Sequence, residues 1–256
     1  MSFFKKMMAS VGIGGVKVNA ELENGHGVRV GDELHGTVYV TGGNLAQEIT
    51  KIHFCLYSNY FRERDGQIVE ESDAIARFHL DEHFTIQPGE ERQFAFSFPI
   101  PFSTPITIGS SKIWLVTELD VEKAIDQRDK DYIHIQPHPI VGAVFESLSR
   151  LGLRATEVSL MHVPRLGLDF PFVQEFEMKP QYRSNLEELE LFYIVHEDEV
   201  EFYMEIDRRA RGLLGLLEEQ FDLDERYARF TLTYDDIEDE DRLTDFIRET
   251  IEDNLH

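Results

Sequence analysis

Cysteine is nearly absent: Cys55 stands alone among 256 residues, which excludes an internal disulfide and suits a reducing compartment. It lies in Ile52-His53-Phe54-Cys55-Leu56-Tyr57, a segment with strand character, and reads as a small packed residue in place of a nucleophile. Long apolar runs are missing as well. No stretch reaches the length a membrane span requires, and the apolar run near Met1 is too short for a secretory signal. Positive charge is scarce: 25 Lys and Arg face 49 Asp and Glu, for a net charge of −24. Such a surface repels nucleic acid and anionic lipid, so neither DNA nor RNA is an expected partner.

The signatures of catalysis and cofactor binding are also lacking. Gly12-Ile13-Gly14-Gly15 runs into Val16-Lys17, without the third glycine of a dinucleotide fingerprint and ahead of a strand, where a nucleotide loop opens a helix. There is no phosphate loop and no G-x-S-x-G elbow. The acidic run Asp235–Asp241 lacks the glycine and the terminal glutamate of a calcium loop, and suits a solvated helix start, where carboxylates favour the N-terminus. His79-Leu80-Asp81-Glu82-His83 fits the H-x-x-E-H pattern of inverted zinc peptidases. That chemistry needs a helix, but Ala76, Phe78, Leu80, Glu82, Phe84 and Ile86 alternate with Arg77, His79, Asp81 and His83. Alternation predicts a strand, in which residues four apart stand roughly 13 Å apart and cannot share one zinc ion. The metallopeptidase reading is thus remote, and no catalytic residue, metal or cofactor is expected.

What the chain does have is strand after strand. Phe84/Ile86 and Phe94/Phe96/Phe98 alternate on either side of Pro88-Gly89, and Pro99 and Pro101 end the second run. Val30–Val40 and Ile113–Val121, the latter leading to Tyr132–Pro137, follow the same logic. Turn signals at Glu23–Gly27, Gly42–Asn44 and Asp65-Gly66 separate short strands in the manner of an antiparallel sandwich. Pro137-His138-Pro139 breaks the sheet, and Ile140, Val141, Val144, Phe145, Leu148 and Leu151 trace a helical stripe that stops at Gly152. Strands are expected again at 156–162, 172–178, 189–195, 200–206 and 226–233, with a hairpin turn at His196–Glu199. The organisation read from the chain is a helix and lead-in at 1–15, a β-sandwich at 16–137, and a linker with an interdomain helix at 138–153. A second β-rich domain at 154–235 and an acidic C-terminal helix at 236–256 complete it.

Four surface features suit partner contacts. Phe3, Phe4, Met7, Met8 and Val11 recur at helical spacing opposite Lys5 and Lys6, which fits a peripheral membrane or partner helix, or a helix packed on its own sandwich. Arg208, Arg209 and Arg211 gather three guanidinium groups in an acidic chain, as a contact for an acidic partner or as one side of an internal ion-pair network. Residues 141–256 hold 12 basic against 29 acidic side chains, and Asp239, Glu240 and Asp241 open the last helix. That acidity suits a basic partner, and it equally maintains solubility. Leu243, Phe246 and Ile247 lie on that helix's apolar face, which either caps its own domain or docks another protein. A homodimer is compatible with these features, and none of them fixes its symmetry.

The three β segments 30–40, 84–101 and 113–137, in that order, resemble the N-terminal sandwich of an arrestin. A narrower resemblance covers nearly the whole chain. Met1–Lys6 with Ala9–Gly14 and Lys17-Val18, Val158–Leu160 with Pro171–Glu177, and Glu205–Gly212 are similar to the bacterial SpoOM sporulation-control family. The resemblance implies a mainly β protein, with an arrestin-like antiparallel sandwich followed by a second sandwich-like domain, an interdomain helix and a C-terminal helix. It also implies a cytoplasmic, non-enzymatic scaffold acting through other proteins in developmental or cell-division control. The phosphate recognition of eukaryotic arrestins does not carry over, because no basic cluster maps onto 16–137. A membrane-proximal adaptor or ligand-binding sandwich is the alternative, motivated by Phe3 and Phe4.

Overall fold

A computed structural model describes residues 15–121, 127–162, 172–182, 186–207 and 227–255. The strands are β1 (Lys17–Leu22), β2 (Val28–Arg29), β3 (Glu33–Thr41), β4 (Gln47–Arg64), β5 (Gln67–Leu80), β6 (Phe84–Ile86), β7 (Glu91–Pro99), β8 (Ile113–Val121), β9 (Gln127–Ile133) and β10 (Ile135–Gln136). Helix α1 (Pro139–Arg150) follows, then β11 (Leu153–His162), β12 (Phe172–Pro180), β13 (Glu188–Val195), β14 (Glu199–Asp207) and β15 (Tyr227–Thr233). A single 3-10 turn at Asp235–Ile237 leads into α2 (Glu240–Asp253). Two compact units result. The first holds the described residues up to Ser58 with Ser72–Pro101 and Lys112–Ile135; the second holds Asn59–Glu71, Phe102–Ser111 and the described residues from Gln136 onward.

In the first unit, β1, β3 and β7 form one antiparallel sheet, with Lys17 opposite Thr41 and Thr41 opposite Glu91. The other sheet is built on β4, which pairs β8, and β8 in turn pairs β9; β5 and β6 also pair β4. Alternation sends Val38 and Val40 of β3 and Phe96 and Phe98 of β7 inward, against Ile52, Phe54 and Leu56 of β4. The Phe54 ring lies 4.5 Å from Phe96 and 5.7 Å from Phe98, at the centre of that core. Burying each such side chain stabilises the fold by about 1.5–3 kcal/mol. Gly36 is required here, because a Cβ would meet the Phe96 ring at 2.5 Å and the Glu21 carbonyl at 2.6 Å.

The Pro88-Gly89 turn joins the two sheets of this unit, for β6 pairs β4 whereas β7 pairs β3. Gly89 takes φ 72°, a conformation side chains disfavour, and its N–H donates to the Gly42 carbonyl at 3.2 Å. On the opposite side a carboxylate links the sheets: the Ala20 N–H of β1 donates to Asp129 of β9 at 2.8 Å.

The second unit is an antiparallel sheet in the order β11, β12, β13, β14, β15. The β13–β14 hairpin turns at His196–Glu199, where the His196 N–H donates to the Glu199 carbonyl at 2.9 Å. The core joins Phe176, Leu191, Phe202 and Met204 of the sheet to Ile140, Val144 and Leu148 of α1 and Leu243, Ile247 and Ile251 of α2. Helix α1 therefore belongs to this unit's core, which its apolar stripe at i, i+4 and i+8 dictates. Its start is set by Pro139 in the first turn and by buried His138, whose Nδ1 accepts the Ile140 N–H at 3.4 Å. Its last residue is Arg150, and Gly152, just past the Leu151 cap, takes φ 81°.

Two stretches that the sequence places in the sandwich at 16–137 join the second unit instead. The tip of the β4–β5 hairpin sets Phe61 opposite Met161 in a parallel pair. There Tyr60 stacks on His162 at 5.7 Å and on Phe172 at 5.4 Å. The segment 102–111 enters the core through Ile106.

The continuous strand expected over Ala76–Ile86 needs correction. Strand β5 ends at Leu80 and β6 begins at Phe84, and both pair β4. A three-residue break at Asp81–His83 separates them, held by Lys51 to Asp81 at 3.0 Å and His83 to Glu48 at 2.5 Å.

Candidate functional site

The last strand and last helix form the most developed surface in the region where contacts are expected. Strand β15 ends the sheet order, so among the described residues its outer edge has no strand partner. Such edges are natural docking sites for other chains. The Phe230 ring of β15 stacks on Phe202 at 5.3 Å and takes the edge of Phe246 at 5.3 Å. Phe246 keeps 40% of its surface in solvent. On the opposite face of the sheet, Arg229 holds Glu201 and lies 5.4 Å over the Tyr203 ring.

Of the three apolar contact candidates on α2, Phe246 is the one that keeps an exposed surface. Leu243 and Ile247 are 2% and 0% exposed in the unit's own core and are withdrawn as partner contacts. The physical reason is register: positions 243, 247 and 251 fall on the face toward α1, whereas 246 falls at its margin.

The acidic candidates have duties within the fold. Asp239 caps α2, accepting the N–H groups of Asp241 and Arg242 at 3.1 and 3.0 Å. Arg150, at the end of α1, pairs with Asp241 at 2.5 Å and Glu240 at 3.6 Å. Asp245 pairs with Arg248 at 2.6 Å. All these carboxylates remain at the surface, where each pair contributes about 1 kcal/mol or less. Asp236 accepts both the Thr233 N–H and hydroxyl at 2.8 Å, and the backbone bond first, then the hydroxyl, holds its carboxyl below the usual range. Phe3, Phe4, Arg208, Arg209 and Arg211 lie outside the described residues.

His79 approaches Asp81 at 3.5 Å and His83 approaches Glu48, and among the described residues no three His, Cys, Asp or Glu side chains gather to hold a metal. Burial pushes the Cys55 thiol up from its ordinary value, with Arg77 opposing, which disfavours the reactive thiolate. No helix among the described residues is long and apolar enough to cross a membrane.

A buried polar cluster in the second unit went unread in the sequence. Gln174 of β12 accepts the Ile106 N–H and donates to the Ile106 carbonyl, both at 2.9 Å, and donates to Ser111 at 3.0 Å. Asn59 donates to Glu70 at 2.9 Å and to the Ser110 carbonyl at 3.0 Å. Partners from three distant stretches leave no periodic trace in the chain.

Fold and surface together define a two-unit, mainly antiparallel β protein with a helical pair on its second sheet. Comparison with known proteins narrows this class. The family model described as SpoOM protein matches residues 4–210. The sporulation-control protein spo0M of Bacillus subtilis (strain 168) is 41% identical over 255 residues, covering 98% of each chain. The crystal structure of Spo0M, sporulation control protein, from Bacillus subtilis superposes with a TM-score of 0.88 at 38% identity, over 94% of this chain and 100% of that one. The chain belongs to the SpoOM family.

Proposed function

We propose that this protein acts in the control of sporulation as a cytoplasmic, non-enzymatic interaction scaffold that works by contacting other proteins. The observation that carries the reading is the end-to-end match, at 41% identity, to a relative named for sporulation control. The surface around Phe246 and the β15 edge supports contact as the mode of action. An exposed aromatic beside a strand edge that has no strand partner among the described residues gives a partner both an anchor and backbone hydrogen bonds. At this surface, which carries the acidic start of α2, the favoured partner presents basic side chains.

The test uses tagged, full-length protein recovered from cells entering sporulation after brief cross-linking. A specific retained protein is expected, less abundant when the cross-link is made at high salt, and depleted by Phe246→Asp in a chain that still folds. Retention that ignores both changes would contradict contact through this surface. Asp239 and Asp241 are poor sites for that experiment, because their loss also uncaps α2 or breaks its tie to α1.

A further inference from the structure

The outer face of the first unit's larger sheet carries an arrangement that no segment of the sequence displays alone. Register places Tyr57 opposite Trp114 and Trp114 opposite Tyr132, so β4, β8 and β9 present three aromatic rings in a row. Trp114 is the chain's single tryptophan, and it lies on this outer face, not in the core. Its ring stacks on Tyr57 at 5.8 Å and 9°, and meets Tyr132 at 6.2 Å. Tyr132 is 61% exposed.

The next row runs Cys55, Val116, Lys130. The Lys130 Nζ sits 3.9 Å from the Trp114 ring centre and 4.9 Å from that of Tyr132. At the other end of the row, the His53–His79 ring contact at 6.4 Å aligns β5 with β4 so that exposed Arg77 of β5 falls beside Cys55, whose thiol feels its charge. One row further, Arg128 is neutralised by Glu118 at 2.7 Å. Arg77 and Lys130 differ: among the described residues neither has a carboxylate in ion-pair contact. In a chain with 49 carboxylates, two cations without one, beside a preformed aromatic row, is the composition of an interface centre. Tyr, Trp and Arg dominate such centres, and rigid rings lose little entropy on binding.

Spacing specifies the ligand. Arg77 and Lys130 stand on β5 and β9 with β4 and β8 between them, three strand spacings or about 14 Å apart. The floor between them is Cys55 and Val116. In an extended segment, side chains at i, i+2 and i+4 share one face, and the outer two are about 13 Å apart. We propose that this face docks an extended segment of a partner protein with an acidic residue at each end and an apolar one between, in the pattern acidic-x-apolar-x-acidic. The carboxylates meet Arg77 and Lys130, and the central side chain rests on Val116 beside Trp114. The proposal rests on the reading of the protein as an interaction scaffold and gives the first unit a ligand of its own, distinct in charge from the basic partner favoured at the Phe246 surface of the second. The long-range repulsion that a chain of this net charge exerts is screened within about 8 Å at physiological salt, which leaves the local contacts to decide.

The test titrates full-length protein, at physiological salt, into dye-labelled synthetic peptides while anisotropy and Trp114 emission are both recorded. The probes are a Glu-x-Leu-x-Glu peptide, the same composition with its glutamates adjacent, and a Lys-x-Leu-x-Lys peptide. Saturable binding of the first, with a matching change in Trp114 emission, is expected, and about tenfold weaker binding of the other two. Arg77→Glu and Lys130→Glu should each weaken the first complex by about tenfold or more with melting temperature unchanged, and the double variant should gain the lysine peptide. Absent or unsaturable binding, equal binding of spaced and adjacent glutamates, or indifference to both variants would overturn the proposal. So would equal binding of a single-stranded oligonucleotide, which would mark the face as a reader of phosphate and stacked bases. None of these outcomes bears on whether the chain restores sporulation, so failure here and failure of the scaffold reading are separable.

Discussion

Gln174 holds Ile106 as a neighbouring strand would, accepting its N–H and donating to its carbonyl at 2.9 Å each. Both residues are buried, so neither backbone group has water as a substitute. Gln174→Ala should destabilise the second unit by about 2–4 kcal/mol, the cost of stranding two buried backbone groups. Gln174→Glu should also destabilise it, since a carboxylate cannot donate to the Ile106 carbonyl or to Ser111. Denaturant unfolding followed by circular dichroism measures both; a change within experimental error for either would remove Gln174 from the account of how 102–111 is held.

The division of α2 into a buried and a presented side predicts unequal losses for adjacent residues. Ile247→Ala should cost about 2–5 kcal/mol, because Ile247 has no exposed surface and its loss leaves a cavity. Phe246→Ser should cost less, for 40% of that side chain is already in water. Thermal melts of the two variants check this, and equal losses would mean that Phe246 serves the core as Ile247 does.

Asp236 predicts a pH dependence with a definite sign. Its folded-state pKa is depressed below the ordinary 3.8 by the bonds from Thr233, so its contribution is complete above that ordinary value and is lost as pH falls through the lowered one. Asp236→Asn keeps an acceptor and removes the titration. The native protein should therefore melt above the variant at neutral pH, with the gap narrowing as pH drops below about 4. A gap that widens in acid would have the wrong sign.

Strand identity was open to reading because the core-facing strands alternate: β3 and β8 bury every second residue, and β7 buries Phe96 and Phe98 between exposed neighbours. The helices were open for the same reason at a different period. The pairing of elements was not. Pro88-Gly89 reads as a plain turn, and only the structure reveals that it passes the chain from one sheet to the other. Residues 59–71 form the tip of the same hairpin, with β4 and β5 each running unbroken across the boundary, so no break in the chain marks their transfer to the second unit. The row Tyr57, Trp114, Tyr132 gathers residues from three strands, and the sequence gap between them hides it. Buried Leu243 and Ile247 and surface Phe246 look alike in a stripe of apolar side chains, because amphipathicity alone does not say where the margin of a face lies.

Spore yield tests the central claim most directly. The chain would be expressed at native level in a Bacillus subtilis strain lacking its own spo0M, beside the same chain carrying Phe246→Asp with unchanged melting temperature. The account predicts that the native chain returns heat-resistant spore counts toward those of the parent strain and that the variant falls short of it. A native chain that folds, accumulates and leaves the counts at the level of the deletion would contradict a role in sporulation control. Full restoration by the variant would contradict the assignment of that role to the Phe246 surface.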